Sequence, residues 1–166
     1  MELVKATRKP VKMRLGLAGE SGAGKTLGAL RTAFGLCGDW TKVALIDTSY
    51  GSAALHSTEG PFNILNLKPS FEPEAFINAL ILCEERGMEV IIIDTLSDEW
   101  TGTGGMVEQY CATGLNNPGR WLPILQMHQE LLRTIAESTC HIIVCLRAGL
   151  AGKRRISQDV ALFDIL

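Results

Sequence analysis

The segment Gly19–Thr26 constrains the fold of this chain more than any other feature of its sequence. It reads Gly-Glu-Ser-Gly-Ala-Gly-Lys-Thr and satisfies every fixed position of the phosphate-loop pattern G-x-x-x-x-G-K-[ST]. The segment follows the apolar run Met13–Ala18, a predicted strand, and precedes an amphipathic helical pattern that begins at about Lys25. Because the pattern requires this strand–loop–helix context, the match predicts a site for the phosphates of a nucleoside triphosphate.

The residue types of this segment explain how it would hold a triphosphate. Glycines let the loop wrap so that successive backbone N–H groups point at the β-phosphate, and the following helix adds its positive dipole end. Lys25 is expected to reach the β- and γ-phosphates, and the Thr26 hydroxyl is expected to ligate Mg²⁺. The predicted cofactors are therefore ATP and Mg²⁺. The predicted nucleotide-binding residues are Gly19, Glu20, Ser21, Gly22, Ala23, Gly24, Lys25 and Thr26.

A second acidic position follows a strongly apolar strand. Residues 90–93 are Val-Ile-Ile-Ile, and Asp94 comes directly after them. An aliphatic run of this kind is typical of a central parallel strand, whose carboxyl end is where open α/β sheets bind ligands. We therefore predict that Asp94 holds Mg²⁺ beside the phosphate loop, directly or through water. Asp47 ends an earlier strand in the same way, and either a place at the same rim or a simple turn role fits it.

The rest of the chain alternates short apolar runs with helical periods. This pattern predicts a three-layer α/β/α P-loop NTPase fold with a mainly parallel sheet. The predicted strands are Met13–Ala18, Lys42–Asp47, Phe62–Leu67, Glu89–Asp94 and Cys140–Leu146. Helices are predicted from Lys25 to a stop at Gly38, from Pro73 onward, and over Pro123–Glu137. A polar, glycine-rich loop is predicted over Thr95–Gly105, and one more strand or short helix over Val160–Leu166.

Length and composition predict a single globular domain. The chain has 166 residues, and we expect an N-terminal segment over residues 1–12 and one domain over residues 13–166. A domain of this kind is expected to continue past the last strand that can be assigned, so the end at Leu166 is predicted to be incomplete. The formal net charge of −2 gives no sign of a broad basic face for duplex DNA.

Cysteine usage and hydropathy indicate the compartment. Five cysteines without a CxxC pair argue against a disulfide framework or a structural zinc site, and four of them (Cys37, Cys83, Cys140 and Cys145) are predicted to be core residues. No signal peptide is visible, and the longest purely aliphatic run, Val90–Ile93, is too short to span a bilayer. We therefore expect a cytoplasmic protein without membrane contact.

Together with these motifs, three sequence blocks resemble the RecA-like P-loop ATPases of bacteriophages, a group of phage nucleotide-binding and single-strand annealing proteins. The resemblance covers roughly Val11 to Arg147. The blocks are Ile46-Asp47-Thr48 with Gly51-Ser52-Ala53; Asp94 to Trp100 running into Gly104-Gly105; and Trp121, Pro123 and His128 with Cys140-His141-Ile142-Ile143 leading to Arg147.

This resemblance implies a RecA-like fold and a function. Such proteins handle single-stranded DNA with ATP during phage recombination, and their subunits assemble into rings or filaments. The implied partners of this chain are therefore single-stranded DNA and further copies of itself. If the chain is phage-encoded, the implied location is the host cytoplasm.

The resemblance also raises a question about hydrolysis. In RecA-like enzymes a glutamate shortly after the second strand polarises the attacking water, and Ser49 occupies the matching place here. Loss of a general base typically slows a reaction by about 10²–10⁴-fold. Hydrolysis is therefore slow, or another carboxylate serves. Glu99 is the first candidate for the general base, and Glu20 is the second.

The resemblance suggests further site residues, each with an ordinary alternative. Arg147 is a candidate for sensing the γ-phosphate or acting across a subunit interface, and otherwise is a surface arginine. Lys153, Arg154 and Arg155 are candidate contacts to the DNA backbone, and otherwise form a solvated turn. Trp100 and Trp121 fit base stacking or, more often, a core or interface position. His128 falls on an apolar helical stripe and is predicted to be a core histidine.

Two other functions remain open. One is a P-loop kinase that passes the γ-phosphate to a small metabolite, although no arginine-rich lid is visible between Asp94 and Arg147, where the basic residues are Arg120 and Arg133. The other is a nucleotide-sensing module that does not hydrolyse its ligand, which the serine at position 49 favours.

Overall fold

The computed structural model describes Lys5, residues 11–112, Gly119 and residues 121–148. In this part of the chain a five-stranded sheet has the order β1-β5-β4-β2-β3. All neighbouring strands pair in parallel. The strands are β1 (Arg14–Gly19), β2 (Val43–Asp47), β3 (Asn63–Asn66), β4 (Val90–Asp94) and β5 (His141–Arg147). The predicted α/β architecture and parallel sheet are confirmed, with strand bounds shifted by a residue or two.

The helices that the sequence predicts are also present. They are α1 (Lys25–Cys37), α2 (Pro73–Glu85) and α5 (Trp121–Glu137), together with two shorter ones described below, α3 (Ser97–Thr101) and α4 (Met106–Ala112). Helix α1 ends where predicted, since the N–H of Gly38 donates to the carbonyl of Phe34 at 2.7 Å. Helix α2 begins at Pro73, where a proline costs nothing because the first helical N–H groups have no intrahelical partner.

The two faces of the sheet bury two separate apolar clusters. On one face Ala29, Leu30 and Ala33 of α1 pack against alternate strand residues such as Leu45 and Ile92. On the opposite face α2 and α5 pack against the intervening residues, which include Ile46, Ile91 and Ile93. Because successive strand residues point to opposite faces, a strand that is apolar at every position must be covered on both sides. The result is the predicted three-layer α/β/α arrangement.

The prediction of an irregular loop over Thr95–Gly105 is wrong. Residues 97–101 form helix α3, and α4 follows from Met106 to Ala112. The polar composition of the segment suggested solvent exposure, yet Ser97, Asp98 and Glu99 are all buried. Each of these side chains has a hydrogen-bond partner from a distant part of the chain, which the sequence does not show.

Three of the four cysteines predicted to be core residues are fully buried, namely Cys83, Cys140 and Cys145, whereas Cys37 is partly buried. Burial raises the pKa of the Cys83 thiol to about 11, as expected for a packing residue rather than a reactive one. Among the residues described, no helix is long and apolar enough to cross a membrane. The predictions for residues 1–4 and 6–10, for Lys153, Arg154 and Arg155, and for Val160–Leu166 lie outside the described residues.

Candidate nucleotide-binding site

The segment Gly19–Thr26 forms a tight loop between β1 and α1. Gly22 and Gly24 have φ angles of 80° and 79°, a left-handed conformation that residues with a Cβ rarely adopt. The Lys25 Nζ lies against the loop and donates to the carbonyl oxygens of Gly19 and Glu20, at 2.8 Å each. The loop therefore brings the Lys25 ammonium group and the first turn of α1 to the same place, an arrangement that suits phosphate binding.

The predicted magnesium residues meet beside this loop. The Thr26 hydroxyl donates to Oδ2 of Asp94 at 2.5 Å. Asp94 ends β4, and β5 lies between β4 and the β1 strand that leads into the loop. A hydroxyl and a carboxylate are oxygen ligands of the kind that Mg²⁺ prefers, and these two are close enough to hold one ion between them. The donor set therefore fits the predicted cation.

A cavity of about 430 Å³ opens in front of the loop. Its size falls in the range of small-molecule sites. The wall opposite the loop comes from residues after β2, β4 and β5. The lining residues are Ser21, Gly22, Gly24, Lys25, Thr26, Leu27, Ser49, Ser52, Leu55, His56, Asp94, Thr95 and Arg147.

Arg147, at the carboxyl end of β5, lies on the wall of this cavity. Its Nη1 donates to Oδ1 of Asp98 at 2.9 Å, and its Nη2 donates to the Ser49 hydroxyl oxygen at 3.2 Å. Its backbone N–H donates to the hydroxyl oxygen of Ser97 at 2.9 Å. The serine at the expected glutamate position thus accepts a hydrogen bond from the arginine.

Asp98 and Thr48 are site residues that the sequence did not single out. The Thr48 hydroxyl donates to Oδ2 of Asp98 at 2.6 Å, and the other carboxylate oxygen accepts from Arg147. Asp98 is 7% exposed, so its carboxylate does not face the cavity and instead orients the arginine from the protein interior. Asp98 appeared in the sequence only as one acid of a polar stretch, next to Glu99, and no signal distinguished the two.

Asp47 serves the turn after β2. Its Oδ1 accepts from the N–H of Ser49 at 2.6 Å and its Oδ2 accepts from the N–H of Ala53 at 3.0 Å. The residue is 1% exposed and does not line the cavity. Of the two interpretations left open by the sequence, the structure supports the turn role.

The structure corrects the assignment of Glu99 as general base. Its side chain is 0% exposed, and its Oε1 pairs with the Nδ1 of His128 at 2.7 Å. Burial raises the pKa of the Glu99 carboxyl, and the hydrogen bond from His128 opposes that rise. Glu99 does not line the cavity, because its side chain is buried against His128 on α5. The second candidate, Glu20, is exposed and its side chain does not line the cavity either.

Of the two alternatives for Trp100 and Trp121, base stacking or packing, the structure agrees with packing, because both belong to an aromatic cluster. The rings of Trp100 and Trp121 lie 6.1 Å apart, and Tyr110 meets Trp121 edge-on at 5.0 Å. Trp100 also contacts the ring of His128 at 5.4 Å, so the cluster covers the buried Glu99–His128 pair. His128 is 5% exposed, which confirms the prediction of a core histidine.

The fold and the loop geometry define a P-loop nucleotide-binding domain. A family model described as "AAA domain" matches residues 11–154, which is most of the chain. The chain therefore belongs to this family of AAA-type P-loop ATPase domains. No curated protein matches its sequence. The match supports the general nucleotide-binding class predicted from the sequence and does not extend to a bacteriophage RecA-like group.

Proposed function

We propose that this domain binds Mg·ATP in the cavity before the phosphate loop and hydrolyses the bond to the γ-phosphate. The observation that carries the proposal is the hydrogen bond between Thr26 and Asp94 beside Lys25. It brings the two expected magnesium residues together at the start of the helix that follows the phosphate loop. A phosphate-binding loop alone would account for anion binding, but the paired oxygens account for the cation that accompanies ATP.

Each residue of the site then has one task. Lys25 leaves the loop carbonyls and neutralises the β- and γ-phosphates, while Thr26 and Asp94 hold Mg²⁺. An Mg²⁺ ion held by these two residues would neutralise negative charge on the phosphate oxygens. Arg147 stands on the cavity wall with its guanidinium held by Asp98, and its side chain is 49% exposed. An arginine in this position can contact the γ-phosphate within its own subunit or reach a neighbouring one.

The substitution Asp94→Asn tests the magnesium site. We expect Mg²⁺ to bind about 10- to 100-fold more weakly, the range typical of removing a group that holds or orients a metal ligand. The measurement is the affinity for a non-hydrolysable ATP analogue, compared with Mg²⁺ and with EDTA. Asp39→Asn is the matched control, since it removes the same charge at an exposed turn. An undiminished effect of Mg²⁺ in Asp94→Asn would contradict the assignment.

We also propose that the protein acts on single-stranded DNA as a homo-oligomer, in phage recombination or annealing. The support is the sequence resemblance to RecA-like phage proteins, together with the half-exposed Arg147 at the mouth of the cavity. The basic cluster of Lys153, Arg154 and Arg155, outside the described residues, is the proposed contact to the DNA backbone.

ATP turnover with and without oligo(dT) tests this part of the proposal. We expect single strands to stimulate turnover, and their binding to weaken with salt by a log–log slope of about −0.7 for each phosphate contact. The triple variant Lys153→Ala, Arg154→Ala, Arg155→Ala should bind more weakly and show a shallower slope. If no DNA binds at low salt in the presence of ATP, the DNA-related function is excluded.

A nucleotide-sensing module that does not hydrolyse ATP is the second candidate. One observation favours it: among the described residues that line the cavity, Asp94 is the only carboxylate. Under this alternative, Mg·ATP binds in a Lys25-dependent way but no phosphate is released. Phosphate release in the same turnover assay therefore separates the two candidates.

A further inference from the structure

Apart from Asp94, the described residues on the cavity wall include no carboxylate that could serve as a base. Ser49 stands at the position where the sequence resemblance implies a glutamate, and its hydroxyl oxygen accepts a hydrogen bond from Arg147. Glu99 is buried against His128, and Asp94 is paired with Thr26. The lining residues therefore offer no carboxylate that is free of the magnesium site.

His56 lies on this wall. It is the last residue of a short 3-10 helix, Ser52–His56, which follows the turn after β2. Asp47 fixes the start of that helix by accepting from the N–H of Ala53, and the Ala53 side chain is buried in the core under α1. The position of His56 therefore depends on the sheet itself rather than on a free loop.

A second contact fixes the chain on the far side of His56. The guanidinium of Arg31 on α1 pairs with the carboxylate of Glu59 at 3.0 Å, and the N–H of Glu59 donates to the carbonyl oxygen of His56. Helix α1 is the helix that begins at Lys25. Through Glu59 and Arg31, His56 is thus linked to the helix that carries the phosphate-binding lysine.

The imidazole ring itself is available for a ligand. Among the described residues, the ring of His56 makes no hydrogen bond, and the side chain is only partly buried. The charged groups that line the same cavity are Lys25 on α1, Asp94 at the end of β4 and Arg147 at the end of β5. Glu59 and Arg31 form the ion pair on the side of the turn.

We propose that His56 is the general base for the hydrolysis of ATP in this domain. The inference rests on the proposed ATPase function and names the residue that replaces the missing glutamate. Among the described side chains that line the cavity outside the magnesium site, the imidazole of His56 is the one whose neutral form has a nitrogen lone pair that can accept a proton from water. A serine hydroxyl and an arginine guanidinium do not act as bases at neutral pH.

The proposed step is the hydrolysis of the terminal phosphate bond of ATP. The oxygen of a water molecule forms a bond to the γ-phosphorus while a neutral ring nitrogen of His56 takes one proton from that water. The bond between the γ-phosphorus and the β,γ-bridging oxygen breaks, and its electron pair remains on ADP. Inorganic phosphate and ADP leave the cavity, and His56 returns the proton to solvent.

The test compares wild type with His56→Gln, which retains hydrogen-bonding groups but does not titrate. We expect kcat to fall by about 10²–10⁴-fold, the usual loss for a general base. The affinity for a non-hydrolysable ATP analogue with Mg²⁺ should stay unchanged. The acidic limb of the wild-type pH–rate profile should disappear in the variant, because a general base that is already protonated cannot accept a proton from water.

Ser57→Ala is the matched control, because Ser57 is the exposed neighbour of His56 and does not line the cavity. It should hydrolyse ATP like wild type. Equal rates for His56→Gln and wild type would overturn the role of His56 alone, as would a slow variant that keeps the acidic limb. A wild-type protein that binds Mg·ATP but releases no phosphate would overturn the proposed ATPase function, and the role of His56 with it.

Discussion

Replacing His128 with alanine is expected to lower the free energy of unfolding by about 1–3 kcal/mol at neutral pH, the usual cost of leaving a buried polar group without its hydrogen-bond partner. The side chains of Glu99 and His128 are 0% and 7% exposed, and Glu99 Oε2 has no hydrogen-bond partner in the described structure. Without the imidazole, the carboxylate would be buried with neither oxygen paired. Urea denaturation measures the change.

The pH dependence of this loss follows from the pKa of Glu99. Burial raises the pKa of the carboxyl in the folded protein, and removal of His128 takes away the interaction that opposes the rise. A carboxyl group with a raised folded-state pKa contributes stability that is present below its unfolded pKa and lost as the pH rises through its folded pKa. His128→Ala should therefore be least destabilising in acid and lose stability as the pH rises toward neutral.

The double variant Glu99→Gln, His128→Ala is the control for this interpretation. A neutral amide costs less to bury than an unpaired carboxylate, so the double variant should be more stable at neutral pH than His128→Ala alone. Glu99→Gln by itself should leave ATP turnover at the wild-type level, because Glu99 does not line the cavity. Equal stability of His128→Ala and wild type would show that the pair contributes nothing.

Replacing Lys25 with alanine is expected to weaken ATP binding by about 10- to 150-fold, which corresponds to about 1.5–3 kcal/mol for hydrogen bonds to a charged group. The Nζ that now donates to two loop carbonyls is the charge closest to the expected β- and γ-phosphates. Among the residues that the structure describes, Lys25 is the lysine that lines the cavity. Calorimetric titration with a non-hydrolysable analogue measures the effect.

Lys42→Ala is the matched control for Lys25→Ala. Lys42 carries the same charge, and its Nζ likewise donates to a backbone carbonyl, that of Gly87, at 3.2 Å. It lies outside the cavity lining, so its removal should leave the affinity for ATP unchanged. If the two variants bound ATP equally well, the phosphate-binding role of Lys25 would be refuted. Thermal unfolding of both variants checks that the loop retains its fold.

The contrast between Asp98 and Glu99 shows where prediction from the sequence stopped. Both acids lie in a segment predicted as a loop, and in a loop neither has a defined direction. In α3 successive residues point about 100° apart, so Asp98 faces Arg147 while Glu99 faces His128. The assignment of Glu99 as the catalytic base failed because it depended on the direction of the side chain. That direction is set by α3, a helix too short to be predicted from the sequence pattern.

The two aspartates that end β2 and β4 show the same limit of prediction from the sequence. Asp47 and Asp94 each end an apolar strand, and the sequence placed both at one edge of the sheet, where they lie. Only the structure separates their roles. Asp47 accepts hydrogen bonds from the N–H groups of its own turn, whereas Asp94 accepts one from the hydroxyl of Thr26. Hydrogen bonding within a turn is local, but the choice of the Asp94 partner depends on how β4 and α1 pack.

The sequence by itself determined the features that arise from local chemistry. The spacing of the glycines determined the conformation of the phosphate loop, and the apolar runs determined the parallel strands. The first and last residues of α1 could be predicted because backbone geometry depends on residues that are near in the sequence. Tertiary structure alone decided which side chains share the cavity. Ser49 and His56 follow β2 whereas Arg147 ends β5, and they meet only because the parallel sheet brings the carboxyl ends of its strands to one edge.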